Sequence, residues 1–366
     1  MNKKISFAGP SITEKEASYV LDAVWNGWYE NYDNYVKKLE KTFADYIGVR
    51  YAIATHCCTV ALHLAAASLG LCDQDEVIVT DFSWVATAYA IKYTGAKCVF
   101  VDIDPDTWTI DPSCIRKAIT SKTKAIMLVH TFGHPADMEE ILKIAQEYGL
   151  YVIEDAAPSI AAQYKGRRVG SFGDLSCFSF QGGKMTVSGE GGILLTDNET
   201  LYEKAKLLSS MGRTDSQAAF WSDKLGYQYT MNNITASLAL AQIERVDELL
   251  DKKRQLFSFY YNQLKTIKGI KMIKEKEGYM SNYCYPSLLL EGYSKNQRDS
   301  ILDKLKALNI HARPGFPQMS RFPEFEQRFE NPVARMVEER GISLPSAANM
   351  TEEDVDFVCK SLLSFL

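Results

Sequence analysis

The chain has 366 residues, 46% apolar and 24% charged, the make-up of an ordinary folded protein with room for one large domain and a smaller companion. Forty-one basic residues against forty-six acidic ones leave a net charge of -5, so no basic excess exists to hold a nucleic-acid backbone. No apolar run approaches the ~20 residues of a membrane span, and Met1 to Phe7 carries two lysines with no signal-peptide stretch behind them.

From about residue 50 to about 200, short β-rich runs alternate with helical patterns. Tyr51–Thr55 precedes a helix through Val60–Ala66, Glu76–Val79 a helix from Ala86 to Tyr93, and Lys97–Val101 is a further strand. Ala125–Val129, a helix from Met138 to Tyr148, and Leu150–Glu154 continue the rhythm. Strands with near-continuous apolar character between helices predict an α/β fold with a mainly parallel sheet covered on both faces. Ile193–Thr196 is one more strand, and Asn233 to Lys265 reads as one long bridging helix. Strands (Tyr285 to Leu289) and helices (Asn296 to Leu308, Glu352 to Leu366) then mix as in a smaller α+β domain. The expected division is 1–250 for the large domain with the N-terminal segment, and 251–366 for the small one.

In an open parallel sheet, ligands gather at the carboxyl ends of the strands, here the loops that begin at Thr55, Thr80, Val101, Val129 and Glu154. Glu154-Asp155 ends a buried strand, where a carboxylate is costly unless it meets a cation or strong donors. Lys184 sits in a Gly-rich loop between apolar strands, where an amine can be desolvated and reactive. Alone, each has a plain structural reading: a helix cap for Asp155, a solvated loop lysine for Lys184. Together they suit pyridoxal phosphate (PLP), which needs a lysine for its Schiff base and an acid for its pyridinium nitrogen. Cys57-Cys58-Thr59 opens a helix whose free N–H groups favour a phosphate, and Trp84 is placed to cover a ring. His130 and His134 flank Gly133 without a third ligand, so they read as loop histidines. The eight cysteines (57, 58, 72, 98, 114, 177, 284, 359) show no CxxC or zinc spacing. No metal is expected, and free thiols fit a cytoplasmic protein.

An ordered set of segments extends this reading: Gly9-Pro10-Ser11-Ile12, Thr59-Val60-Ala61-Leu62-His63, Gly133-His134-Pro135-Ala136-Asp137-Met138, Glu154-Asp155-Ala156-Ala157, Phe178-Ser179-Phe180, Lys184, Gly189-Glu190-Gly191-Gly192 and Ser343-Leu344-Pro345-Ser346. With these, the chain resembles the DegT-type aminotransferases, fold-type I PLP enzymes of nucleotide-linked keto sugars, and most closely their perosamine-synthase-like 4-keto-sugar branch. The resemblance implies that Lys184 carries the cofactor, Asp155 pairs with the ring nitrogen, and Trp84 stacks on the ring. Ser179 and the amides of Cys58 and Thr59 match phosphate-binding positions, and Gln228 a position that reaches the neighbouring subunit's phosphate, which implies a homodimer with shared active sites. Arg313 and His311, in His311-Ala312-Arg313-Pro314, fall where the family's small domain approaches the substrate.

Three departures stand out. Pro158 replaces a Gln or His near the ring hydroxyl and offers no side-chain donor. Cys57-Cys58 replaces a small or Asn-Gly pair, and Gln228 and Thr230 replace Asn and Arg. The implied activity is amination of a nucleotide-linked keto-deoxy sugar, of the 4-keto-6-deoxy type, with L-glutamate as donor. The alternatives are an aminotransferase of another cyclic ketone such as an inosose, or a non-catalytic regulator on the same scaffold. The family's dehydratases carry a histidine where this chain has Lys184.

Overall fold

In the computed structural model, which describes residues 3–213, 221–222 and 224–366, the apolar runs form a seven-stranded sheet. Its order is Tyr51–Thr55, Gly192–Thr196, Leu175–Ser179, Tyr151–Asp155, Thr123–Val129, Glu76–Thr80 and Lys97–Val101. Gly192–Thr196 alone runs against the rest, so the sheet is mostly parallel, as the sequence predicts. Glu76–Thr80 and Leu175–Ser179 are buried along their whole length, because helices cover both faces. Asn34–Ile47 shows how a helix earns its place there. Tyr35, Leu39, Phe43 and Ile47 recur at four-residue spacing and are buried, and Gly48 ends the helix with φ of +89°. Phe43 packs edge-on against Phe178 and Phe180, so its truncation to Ala costs ~3–5 kcal/mol.

The segment from Asn233 to Lys265 is two helices, Asn233–Ile243 and Val246–Leu264. The break falls at Glu244–Arg245, where the Arg245 guanidinium turns toward the buried Glu16 at 2.5 Å and toward the Ser11 carbonyl. The second helix joins two cores: Val246, Leu249 and Leu250 pack with the first part of the chain, Leu256, Phe257, Tyr260 and Leu264 with the C-terminal part.

The C-terminal part is built on an antiparallel four-stranded sheet in the order Ile270–Met272, Ser287–Leu290, Gly341–Ser343, Arg313–Pro314. The N-terminal segment packs with this part: Ile5 belongs to its core, the His311 N–H donates to the Ile5 carbonyl, and the Ser346 N–H to that of Phe7. Among the described residues, no helix is long and apolar enough to cross a membrane.

Candidate active site

The carboxyl ends of the parallel strands open onto one cavity of about 480 Å³. Five of the chain's turns reach it: Cys57 to Thr59, Ser83 to Thr87, Val129 to Phe132, Asp155 to Pro158, and Ser179 to Lys184. The loop after Val101, expected there too, does not. Asp102 instead accepts from the N–H groups of Val333 and Ala334, at the start of the helix Pro332–Arg340. The C-terminal part closes the other side with Tyr285, Arg313, Phe316 and Ser343, and Phe7 comes from the N-terminal segment.

Glu154 and Asp155, neighbours on one strand, point to opposite faces and meet opposite fates. Glu154 accepts from His130 Nε2 at 2.9 Å and from the amides of Gly170, Phe172 and Gly173. Burial works against its charge, but these four donors hold its pKa below the usual range. His130 Nδ1 in turn accepts from the Ala136 N–H, so the ring hydrogen sits on Nε2. Asp155 lines the cavity, is just as buried, and has only two donors: the Thr87 hydroxyl at 2.6 Å and the Ala157 N–H at 3.1 Å. Burial pushes its pKa up, opposed by those bonds and by the charge of Lys184. Among the described residues it has no cation in contact, and it faces the cavity.

Lys184 lies across this cavity on a fastened turn. Its N–H donates to the Gln181 carbonyl, the Gly183 N–H to Gln181 Oε1 at 2.8 Å, and the Tyr285 hydroxyl to the Gly183 carbonyl at 2.9 Å. Among the described residues, the Lys184 amine has no hydrogen bond or ion pair of its own. The backbone is held and the amine is free.

The helix Cys58–Ser68 starts at the cavity without a side-chain cap, since Cys57 cannot act as the Asp, Asn, Ser or Thr that caps other helices of the chain. The N–H groups of Cys58 and Thr59 therefore have no partner within the described chain. Gly192 permits this approach: a Cβ there would lie 2.5 Å from the Cys58 nitrogen. The Ser179 hydroxyl accepts from the Gln181 N–H at 3.3 Å and keeps its own hydrogen to give. Burial pushes the Cys58 thiol well up, consistent with a small packing residue and against a thiolate role.

Trp84 lines the cavity and is 65% exposed. Arg313 lines it from the opposite side, its guanidinium 4.3 Å from the centre of the Phe7 ring, which lies 4.7 Å from Tyr285. Two expected residues are not brought to this cavity. Gln228 is exposed, its amide donating to the Thr230 hydroxyl at 3.1 Å, and His311 is anchored through its backbone to Ile5. Pro158 lines the cavity, and its carbonyl accepts from the Asn282 side-chain amide. The residues sequence reasoning missed are Thr87, Gln181 and Tyr285. Only Gln181, three positions before the lysine, offered a signal. Burial holds the His134 pKa down at about 4, and no group of three or more metal-type side chains occurs among the described residues.

An uncapped helix start, a buried carboxylate without a cation and a free amine thus share one cavity. That donor set fits PLP, which carries a phosphate, a basic ring nitrogen and an aldehyde.

Comparison with known proteins bears on this arrangement. The DegT/DnrJ/EryC1/StrS aminotransferase family matches residues 10–363. The chain is 38% identical to the GDP-perosamine synthase of Escherichia coli O157:H7, covering 99% of each chain. It is 37% identical to that of Caulobacter vibrioides, covering 98% of this chain and 97% of the relative. Among solved structures, the aminotransferase TlmJ from Streptoalloteichus hindustanus superposes with a TM-score of 0.93 at 26% identity, covering 99% of each chain. Spr1654 of Streptococcus pneumoniae, solved in PLP and PMP forms, gives 0.93 at 25% identity over 99% of this chain and 98% of its own. This chain belongs to the DegT/DnrJ/EryC1/StrS family and is a PLP-dependent aminotransferase.

Proposed function

We propose that the chain transfers an amino group from L-glutamate to a nucleotide-linked keto-deoxy sugar of the 4-keto-6-deoxy type, acting as a cytoplasmic homodimer with shared active sites. The observation that carries the substrate class is the near full-length similarity to relatives named as GDP-perosamine synthases, at 33–38% identity. The free Lys184 amine and the cation-less Asp155 in one cavity support the chemistry, and eight free thiols support a reducing compartment.

Bound PLP supplies an electron sink for charge that develops at the reacting carbon. Asp155 would hold the proton on the pyridine nitrogen of bound PLP, its own charge, disfavoured by burial, being matched there by a cation. Lys184 would anchor the cofactor, and its free amine would take and return the proton at the substrate carbon. Its amine has no competing partner to break, and the fastened Gly183 peptide limits where it can swing. The Cys58 and Thr59 N–H groups and the Ser179 hydroxyl would receive the phosphate, and Trp84 would cover the ring. Arg313, across the cavity, suits a donor carboxylate or a substrate phosphate. Gln228 is exposed and does not line its own cavity, which suits a residue serving a second subunit's phosphate.

A panel of nucleotide-linked 3-keto and 4-keto sugars incubated with L-glutamate, read as 2-oxoglutarate formed, tests the proposal. Turnover of a 4-keto-6-deoxy sugar is expected. Turnover of 3-keto sugars alone, or of none, overturns it.

A further inference from the structure

Behind the cavity wall formed by Thr131, Phe132 and Tyr285 lies a second space of about 10 Å³, close to what one water molecule needs. Three polar atoms of its lining residues are buried and have no hydrogen-bond partner among the described residues: Trp108 Nε1, Thr131 Oγ1 and His134 Nε2. Their residues are 1%, 2% and 3% exposed. The other hydroxyls around the space are already engaged. Thr107 pairs with Thr109, Ser287 with Ser343, the Ser281 oxygen accepts from the Tyr283 N–H, and the Tyr283 oxygen from the Glu275 N–H. Orphan buried groups are rare, and three around one small space need a common explanation.

Their chemistry specifies the occupant. The Trp108 indole can only donate. His134 Nδ1 lies 2.7 Å from the Pro135 carbonyl, which can only accept, so the ring hydrogen is on Nδ1 and Nε2 offers a lone pair. The Thr131 hydroxyl can do either. An anion would face the His134 lone pair and a cation the Trp108 N–H. A neutral molecule that accepts one bond, donates another and exchanges a third satisfies all three groups.

We propose that this space is a built site for one water molecule, which accepts from Trp108, donates to His134 and bonds the Thr131 hydroxyl, and that this water fixes the turn presenting Phe132 to the catalytic cavity. Thr131 and Phe132 line both spaces. Around the smaller one, Trp108, Phe132 and Tyr283 adopt φ of +58°, +52° and +47°, a region bulky side chains avoid unless their surroundings over-determine them. Next to Phe132, Gly133 admits no side chain, because a Cβ would meet Asn282 Oδ1 at 1.8 Å. Phe132 in turn stacks on Phe316 at 5.2 Å and meets Tyr285 at 5.9 Å. The water thus stands behind the aromatic wall that the substrate faces.

The test is a crystal structure of the PLP-loaded enzyme at a resolution that shows ordered water, alongside one of Thr131→Val, which keeps the shape of the side chain and removes its hydroxyl. In the wild type, one well-ordered peak within hydrogen-bond distance of all three atoms is expected; a dry space, or the three groups bonded to one another, overturns the site. In Thr131→Val, loss or weakening of the peak and displacement of Phe132 are expected, with the cofactor absorbance unchanged and Thr131→Ser restoring both features. A variant that loses the peak while Phe132 keeps its conformation overturns the positioning role. The wild-type structure decides on the site itself even if the valine variant does not fold.

Discussion

The Tyr285 hydroxyl donates to the Gly183 carbonyl at 2.9 Å, so a residue from the C-terminal part fastens the peptide directly before Lys184. Tyr285→Phe removes that bond and keeps the ring packed between Phe7 and Phe132. A neutral hydrogen bond is worth ~1 kcal/mol, so turnover should fall by about fivefold while PLP remains bound. Steady-state kinetics with the absorbance of the bound cofactor checks this. Unchanged turnover would show that Lys184 is placed without the tether.

Asp155→Asn keeps the shape of the side chain beside Thr87 but removes its charge. The phosphate contacts are untouched, so PLP should still bind. Activity should drop by orders of magnitude, because the ring nitrogen no longer has an anion to hold its proton. Wild-type turnover in this variant would remove Asp155 from its assigned role.

The Arg245–Glu16 contact at the helix break makes a prediction about acid stability. Burial opposes the charge of Glu16, but bonds from Thr13, Arg245 and Gln242 outweigh it and bring its pKa from 4.5 to about 2. Folding therefore favours the ionised form. The stabilisation is complete above the unfolded value of 4.5 and is lost as the pH falls through about 2. Glu16→Gln should lower the unfolding temperature at neutral pH, and its gap from the wild type should shrink steadily with acidification. A gap independent of pH would contradict the ionised assignment.

These contacts also mark what the sequence could and could not disclose. The parallel strands were legible because burial on both faces forces continuous apolar runs such as Val77–Val79 and Val152–Ile153. Asp155 and Lys184 were legible as a strand-end acid and a lysine in a Gly-rich loop, and Ser179 through the resemblance of its segment; the structure brings all three to one cavity. The break at Glu244–Arg245 was not, since the helical pattern runs through it and the cause, Glu16, lies 229 residues away. Tyr285 is 102 residues from the carbonyl it holds, and nothing near it in the chain announces the contact. The loop after Val101 was expected at the site because strand ends attract ligands, yet Asp102 is taken up by a helix start.

For the shared-site dimer, mass measurement at micromolar concentration should give twice the chain mass of 41.2 kDa. Gln228→Ala should weaken cofactor retention, although Gln228 stands outside its own cavity. A fully active monomer would contradict the arrangement.

The central claim is that Lys184 is the residue that holds the cofactor. Borohydride reduction of the purified, PLP-loaded protein, followed by peptide mapping, tests it most directly. The label is expected on the peptide that contains Lys184, and in Lys184→Ala it should be lost while PLP still binds non-covalently through the phosphate cradle and Asp155. Label on another lysine, or a wild-type protein that takes up no PLP, would contradict it.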